Sequence, residues 1–226
     1  MAAQSLPSIV VFGSQTTWPS SLQLVQLRAV LLSDPHLLTF LTAIRGLPAL
    51  WETLVGYDAR LKQVPGLKSL NAIQRWVEDG ILVSSRIIPP NVLSTPLTTI
   101  IHIAQYFHYL KSNDCGATHS LILENAQLGG VQGLCTGILS AIAVACSESE
   151  DAIGKHASVA LRLAVCIGAY VDLEGAFGNP PNEMLCCIVR QKPELNKDNL
   201  LEILQSYPDV CMTFGSWITS FSSSLT

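Results

Sequence analysis

The chain has 226 residues, 49% hydrophobic and only 13% charged, against about 25% charged in an average domain, so a sizeable core is expected and disorder is not. The net charge is −4, and the 13 Lys and Arg are scattered without a basic run, which with a pI near 5.7 argues against a nucleic-acid partner. Mean hydropathy is +0.37, yet the longest apolar stretches, Ile138 to Cys146 and Ala157 to Val171 (broken by Arg162), fall short of the roughly 20 apolar residues of a spanning helix. No membrane association is expected. The opening Met1-Ala2-Ala3-Gln4-Ser5 lacks the basic start and apolar core of a signal peptide, so the expected location is cytoplasmic.

In chain order, Pro7 to Gly13 reads as a short buried strand, and Ser14 to Pro19, including Gln15, as the loop at its C-terminal end. In open α/β sheets that end is where ligands bind. Ser20 to Leu32 is a helix with apolar Leu22, Leu24, Val25, Leu27, Val30 and Leu31. Asp34-Pro35 caps the next one, which runs towards Arg45. Further helices are expected over Ala49 to Gly56 and over Ser69 to Asp79, the latter closed by Gly80. After extended Ile87 to Pro90, Ser94 or Thr95 caps a long helix from Pro96 to Lys111. His102 and His108 read as ordinary histidines of that helix, and His119 as a loop residue.

Leu128 to Gly133 is a strand weakened by Gly129 and Gly130. It leads into Gly133-Leu134-Cys135-Thr136-Gly137 and a helix from Thr136 to Ser147. A cysteine between flanking glycines, at the start of an apolar helix, has the form of a nucleophile elbow. The tight turn leaves no room for side chains on either side, and the free N–H groups of a helix start favour negative charge. They can stabilise a thiolate and then a tetrahedral oxyanion. A long helix, Ala152 to Asp172, follows, with His156 near its beginning and small residues that allow close packing. Gly178 to Asn182 is the clearest break in the chain. Beyond it come a strand (Met184 to Val189), a helix (Asn199 to Tyr207), a strand (Val210 to Phe214) and a Ser-rich tail.

There are seven cysteines and no C-x-x-C, so neither a disulfide framework nor a metal site is expected. Cys146, Cys166, Cys186, Cys187 and Cys211 read as small buried hydrophobes and Cys115 as an exposed loop residue. Cys135 stands apart by its context.

Val11-Phe12-Gly13-Ser14-Gln15-Thr16, the Gly133 to Gly137 elbow and Ile167-Gly168-Ala169-Tyr170-Val171 together resemble the starter-unit acyltransferase (SAT) domain of fungal non-reducing polyketide synthases. That domain is similar in turn to malonyl-coenzyme A transacylases, which carry serine in place of the cysteine. The resemblance implies an α/β fold: an acyltransferase core, malonyl-transacylase-like and related to α/β-hydrolases, over residues 1–178. A partial ferredoxin-like small subdomain and the tail would occupy 179–226.

The resemblance also implies a mechanism. Cys135 is the nucleophile, and the backbone N–H groups of Gln15 and Thr136 form the oxyanion hole. Acyl-coenzyme A, or a partner fatty-acid or polyketide synthase, donates the acyl group. The phosphopantetheine thiol of an acyl carrier protein accepts it, and no cofactor stays bound. The family pairs its cysteine with a histidine well downstream. Here the only histidine after Cys135 is His156, at a position that does not match. The expectation is therefore a natural short form, a fragment or a truncated gene model, with His119 or His156 as substitute bases. Arg162 reads as a helix-surface residue rather than a carboxylate-binding one. Two other functions share these residues: an editing thioester hydrolase, and a non-catalytic docking or scaffold protein for a polyketide synthase.

Overall fold

The computed structural model describes residues 9–14, 19–81, 89–112, 118–126 and 130–178. All belong to the first of two compact units, Met1–Gly178. The expectations for Gln15, for Cys115 and for everything from 179 onward lie outside the described residues.

Two short strands, β1 (Val10–Phe12) and β2 (Val131–Gly133), pair in parallel with Val10 opposite Val131 and Phe12 opposite Gly133. The rest of the described chain is mostly helical, so the class is α/β with a small sheet. α1 (Ser21–Ser33) begins with a reciprocal capping box between Ser20 and Gln23. It buries Leu27, Val30 and Leu31 but leaves Leu22 and Val25 exposed. Asp34 then accepts from His36 N at 2.9 Å and, with Pro35 behind it, starts a short 3₁₀ turn (Pro35–Leu37). α2 (Leu38–Arg45), α3 (Leu47–Tyr57) and a second 3₁₀ turn (Ala59–Gln63) follow. α4 (Gly66–Asp79) ends at Gly80, whose φ of 78° is the left-handed cap expected there.

α5 runs from Asn91 to Ser112, starting five residues before the expected Pro96. The reason is a cap supplied from far along the chain. Asp172 accepts from Asn91 N (2.9 Å), Asn91 Nδ2 (2.9 Å) and Val92 N (2.8 Å), so Pro96 ends up inside the helix. His119 also departs from expectation. It opens a helix, α6 (His119–Asn125), capped by the Thr118 hydroxyl. α7 (Gly137–Ala145) and α8 (Glu150–Gly178) complete the order.

α8 lies along α5 and also packs on α7 and α2. Ala157, Ala160, Ala164 and Ala169 are buried in those contacts, and Gly168 brings α8 against the backbone of Asn91 and Val92. The expectation that no helix could span a membrane needs correction. Glu150–Glu174, 25 residues, is long and apolar enough by length and composition, because its most apolar 18-residue window averages a hydropathy of 1.4 in spite of Arg162. Half of that window is buried inside the protein. The bent pair Ser21–Ser33 and Pro35–Arg45, folded by 84°, passes only if taken as one span.

Candidate active site

The turn between β2 and α7 is held from both ends. Leu134 N donates to Phe12 O at 2.9 Å, continuing the sheet by one bond. Gly137 N then donates to Leu134 O (3.0 Å), Ile138 N to Cys135 O (3.1 Å) and Leu139 N to Thr136 O (3.2 Å), which winds the chain into the helix. A Cβ on Gly133 would be driven into Ile138 Cα and the Gly137 carbonyl, and one on Gly137 into the Phe12 and Gly13 carbonyls. Both elbow glycines therefore serve close backbone approach, as the spacing predicts.

Cys135 sits at the apex. Its φ of +56° makes it the one non-glycine residue in the left-handed region among the described residues. For an L-residue that conformation costs roughly 1–2 kcal/mol, and strain of this kind clusters at functional sites. The thiol is free and exposed. Beside it, the Thr136 N–H has no partner among the described residues. The Thr136 hydroxyl does not cap α7 either, and its buried oxygen is also unpartnered among the described residues. An exposed sulfur therefore adjoins, among the described residues, an unpartnered backbone donor at a helix start. Such an arrangement suits nucleophilic attack on an acyl group with hydrogen bonding to the resulting oxyanion. Gln15, the other expected donor, lies outside the described residues.

The two candidate bases are not brought to Cys135. His119 is buried; its Nδ1 accepts from Tyr106 Oη at 2.7 Å and its Nε2 donates to Ser147 O at 2.9 Å. Ser147 Oγ donates to Ala143 O at 2.6 Å and so accepts from His156 Nδ1 at 2.9 Å. Ser147 follows the C-terminal end of α7, whereas Cys135 precedes its first residue. The nine residues of α7 alone rise about 13 Å. His36 is engaged by Asp151 (2.7 Å) and Glu150 (3.5 Å), and His108 lies near Ser112 Oγ (3.4 Å).

His102, which the sequence leaves without a site role, is the histidine placed under the elbow. Its Nδ1 is 3.2 Å from Ser140 Oγ on α7, and its ring lies 5.6 Å from that of Phe12. Burial pushes its pKa down to about 4, so the ring is neutral. The other residue missed is Phe12, whose carbonyl anchors the turn. Its place in the strand-to-loop motif was the available signal. Arg162 is exposed on α8. Cys146 is exposed and Cys166 half-buried, so the expectation that both are buried hydrophobes fails. Cys146 is the C-terminal cap residue of α7. Among the described residues no cluster of three or more metal-ligating side chains forms.

Fold and turn together define a parallel strand–elbow–helix unit presenting a strained cysteine. Comparison with known proteins narrows the class. Residues 10–206 match the family described as Starter unit:ACP transacylase in aflatoxin biosynthesis (SAT), and the chain belongs to that family. It is 40% identical over 212 residues to non-reducing polyketide synthase spyA of Aspergillus fumigatus, covering 92% of this chain and 12% of that protein. It is 39% identical over 206 residues to non-reducing polyketide synthase esdpA of Penicillium shearii (90% and 9%). With 5-methylorsellinic acid synthase of Aspergillus terreus it shares 36% over 216 residues (95% and 8%). The chain thus spans about a tenth of the length of these fungal synthases.

Proposed function

We propose that this chain is a starter-unit acyltransferase of polyketide biosynthesis that carries the acyl group as a thioester on Cys135. The observation that carries the reading is the exposed, left-handed cysteine beside a Thr136 N–H without a partner among the described residues, in a chain of the transacylase family. Cys135 Sγ attacks the carbonyl carbon of an acyl thioester. A carbon–sulfur bond forms, and the tetrahedral oxyanion is held by the N–H groups of Thr136 and Gln15. Collapse of the oxyanion breaks the bond to the donor thiol, which leaves with one proton, matching the one Cys135 loses. The phosphopantetheine thiol of an acyl carrier protein then repeats the exchange in reverse. Each step replaces one thioester by another, so positioning and oxyanion binding matter more than driving force. The likeness to malonyl transacylases belongs to this reading, as does the assignment of 179–226 to part of a small ferredoxin-like subdomain.

The test is intact-mass analysis after incubation with acetyl-, butyryl- and hexanoyl-coenzyme A, followed by addition of a phosphopantetheinylated carrier protein. The expected result is an acyl adduct that moves to the carrier and is absent from Cys135→Ala. An adduct that persists in Cys135→Ala would sink the nucleophile assignment. Release of free acid without carrier loading would point instead to an editing hydrolase.

One observation favours a second reading. His119 and His156 stand at the far end of α7 from Cys135, so neither candidate base is brought to the thiol. A non-catalytic docking protein would bind a carrier protein, keep that binding in Cys135→Ala and turn nothing over.

A further inference from the structure

Beneath the elbow, one buried side chain joins the two pieces of backbone that set its geometry. His102 on α5 is 8% exposed. Through Nδ1 it meets Ser140 Oγ at 3.2 Å, one turn into α7 beyond Gly137. Through its ring it packs on Phe12 at 5.6 Å, with the planes inclined at 51°. The Phe12 carbonyl holds Leu134 N and sits directly against Gly137. The imidazole therefore ties the end of β1 to the first turn of α7, and in the chain Thr136 falls between Leu134, which the Phe12 carbonyl holds, and Ser140. A side chain so placed can set the direction of the Thr136 N–H through the backbone on either side of it.

We propose that His102 is a positioning residue for the elbow, its link from Phe12 to Ser140 holding the Thr136 N–H in line with the oxyanion formed on Cys135; the inference rests on the reading of Cys135 as the acyl-bearing thiol. Misplacing a catalytic group by about an ångström costs up to about a hundredfold in rate. Acylation is sensitive to the oxyanion donor, whereas alkylation of the same thiol is not, because it forms no oxyanion. That difference separates positioning from simple loss of structure.

The experiment compares the whole chain with His102→Leu, His102→Gln and Ser140→Ala. Single-turnover acylation by hexanoyl-coenzyme A is followed by intact mass across donor concentrations, with iodoacetamide alkylation of Cys135 alongside. His102→Leu should lower the saturating acylation rate about tenfold or more, with half-saturating donor concentration and alkylation unchanged. Ser140→Ala should do the same, and the double variant should lose no more than either single one. Glutamine, which can still bond Ser140 Oγ, should recover most of the rate. Should His102→Leu not fold, Ser140→Ala, which deletes one oxygen, carries the same comparison. Wild-type acylation rates in Ser140→Ala, or alkylation falling in step with acylation, would overturn the inference. A wild-type chain that forms no adduct overturns the transacylase reading and takes this inference with it.

Discussion

Cys135 concentrates the physics of this chain in one residue. Its left-handed φ of +56° is disfavoured by roughly 1–2 kcal/mol in an L-residue, and glycine would relieve that, offset in part by the extra freedom glycine gives the unfolded chain. Cys135→Gly is therefore expected to raise stability by about 0.5–1 kcal/mol while removing the thiol, and Cys135→Val to lower it, as thermal unfolding would show. A cysteine variant series flat in stability would mean that the turn is not strained. Gly137 carries the opposite sensitivity. A methyl group there would enter the Phe12 and Gly13 carbonyls, and backbone cannot move aside as a side-chain tip can. Gly137→Ala should cost at least about 2 kcal/mol, read from the urea midpoint.

At the scale of elements, stability is passed between helices distant in sequence. Asp172 of α8 caps α5 through two backbone N–H groups and the Asn91 side chain, and Asp172→Ala should cost about 1–2 kcal/mol. An unchanged unfolding midpoint would show that water replaces the carboxylate. In the same way, Arg28 of α1 donates to Trp76 O (3.0 Å) and Val77 O (2.8 Å) at the end of α4. Such caps explain what the sequence could and could not disclose. Ser20, Asp34 and Gly80 act on their own neighbours, so the helix ends they control were legible. Asp172 acts across 81 residues, so local sequence points to Pro96 and hides the true start of α5. The elbow was legible because its glycines and cysteine are consecutive. His102 was not, because its partners Phe12 and Ser140 come from two other elements, and nothing in its local context marks it.

Across the whole molecule, two histidines pull stability in opposite directions with pH. His102 is buried neutral with its pKa pushed down to about 4, while an unfolded histidine titrates near about 6.5. The unfolded chain therefore binds the extra proton first. The contribution of His102 is full above about pH 6.5 and is lost as pH falls towards about 4. His36 runs the other way. The hydrogen bond to Asp151 raises its pKa, so its smaller, solvent-screened contribution is present below about pH 6.5 and lost as pH rises through its folded value. Between about pH 7 and about pH 4.5 the wild type should lose on the order of 2 kcal/mol more than His102→Gln, measured by urea unfolding at each pH. Equal losses would mean that the ring is not held neutral.

Acyl transfer through one sulfur, in a chain that spans about a tenth of its synthase relatives, leaves a direct trace. It is tested most directly by the mass of the intact chain after exposure to acyl-coenzyme A. The expected product carries one added acyl group, mapped by proteolysis to the peptide containing Cys135, absent from Cys135→Ala and discharged by a phosphopantetheinylated carrier protein. An unmodified chain, or an acyl group mapped to Cys146 or Cys166 instead, would contradict it.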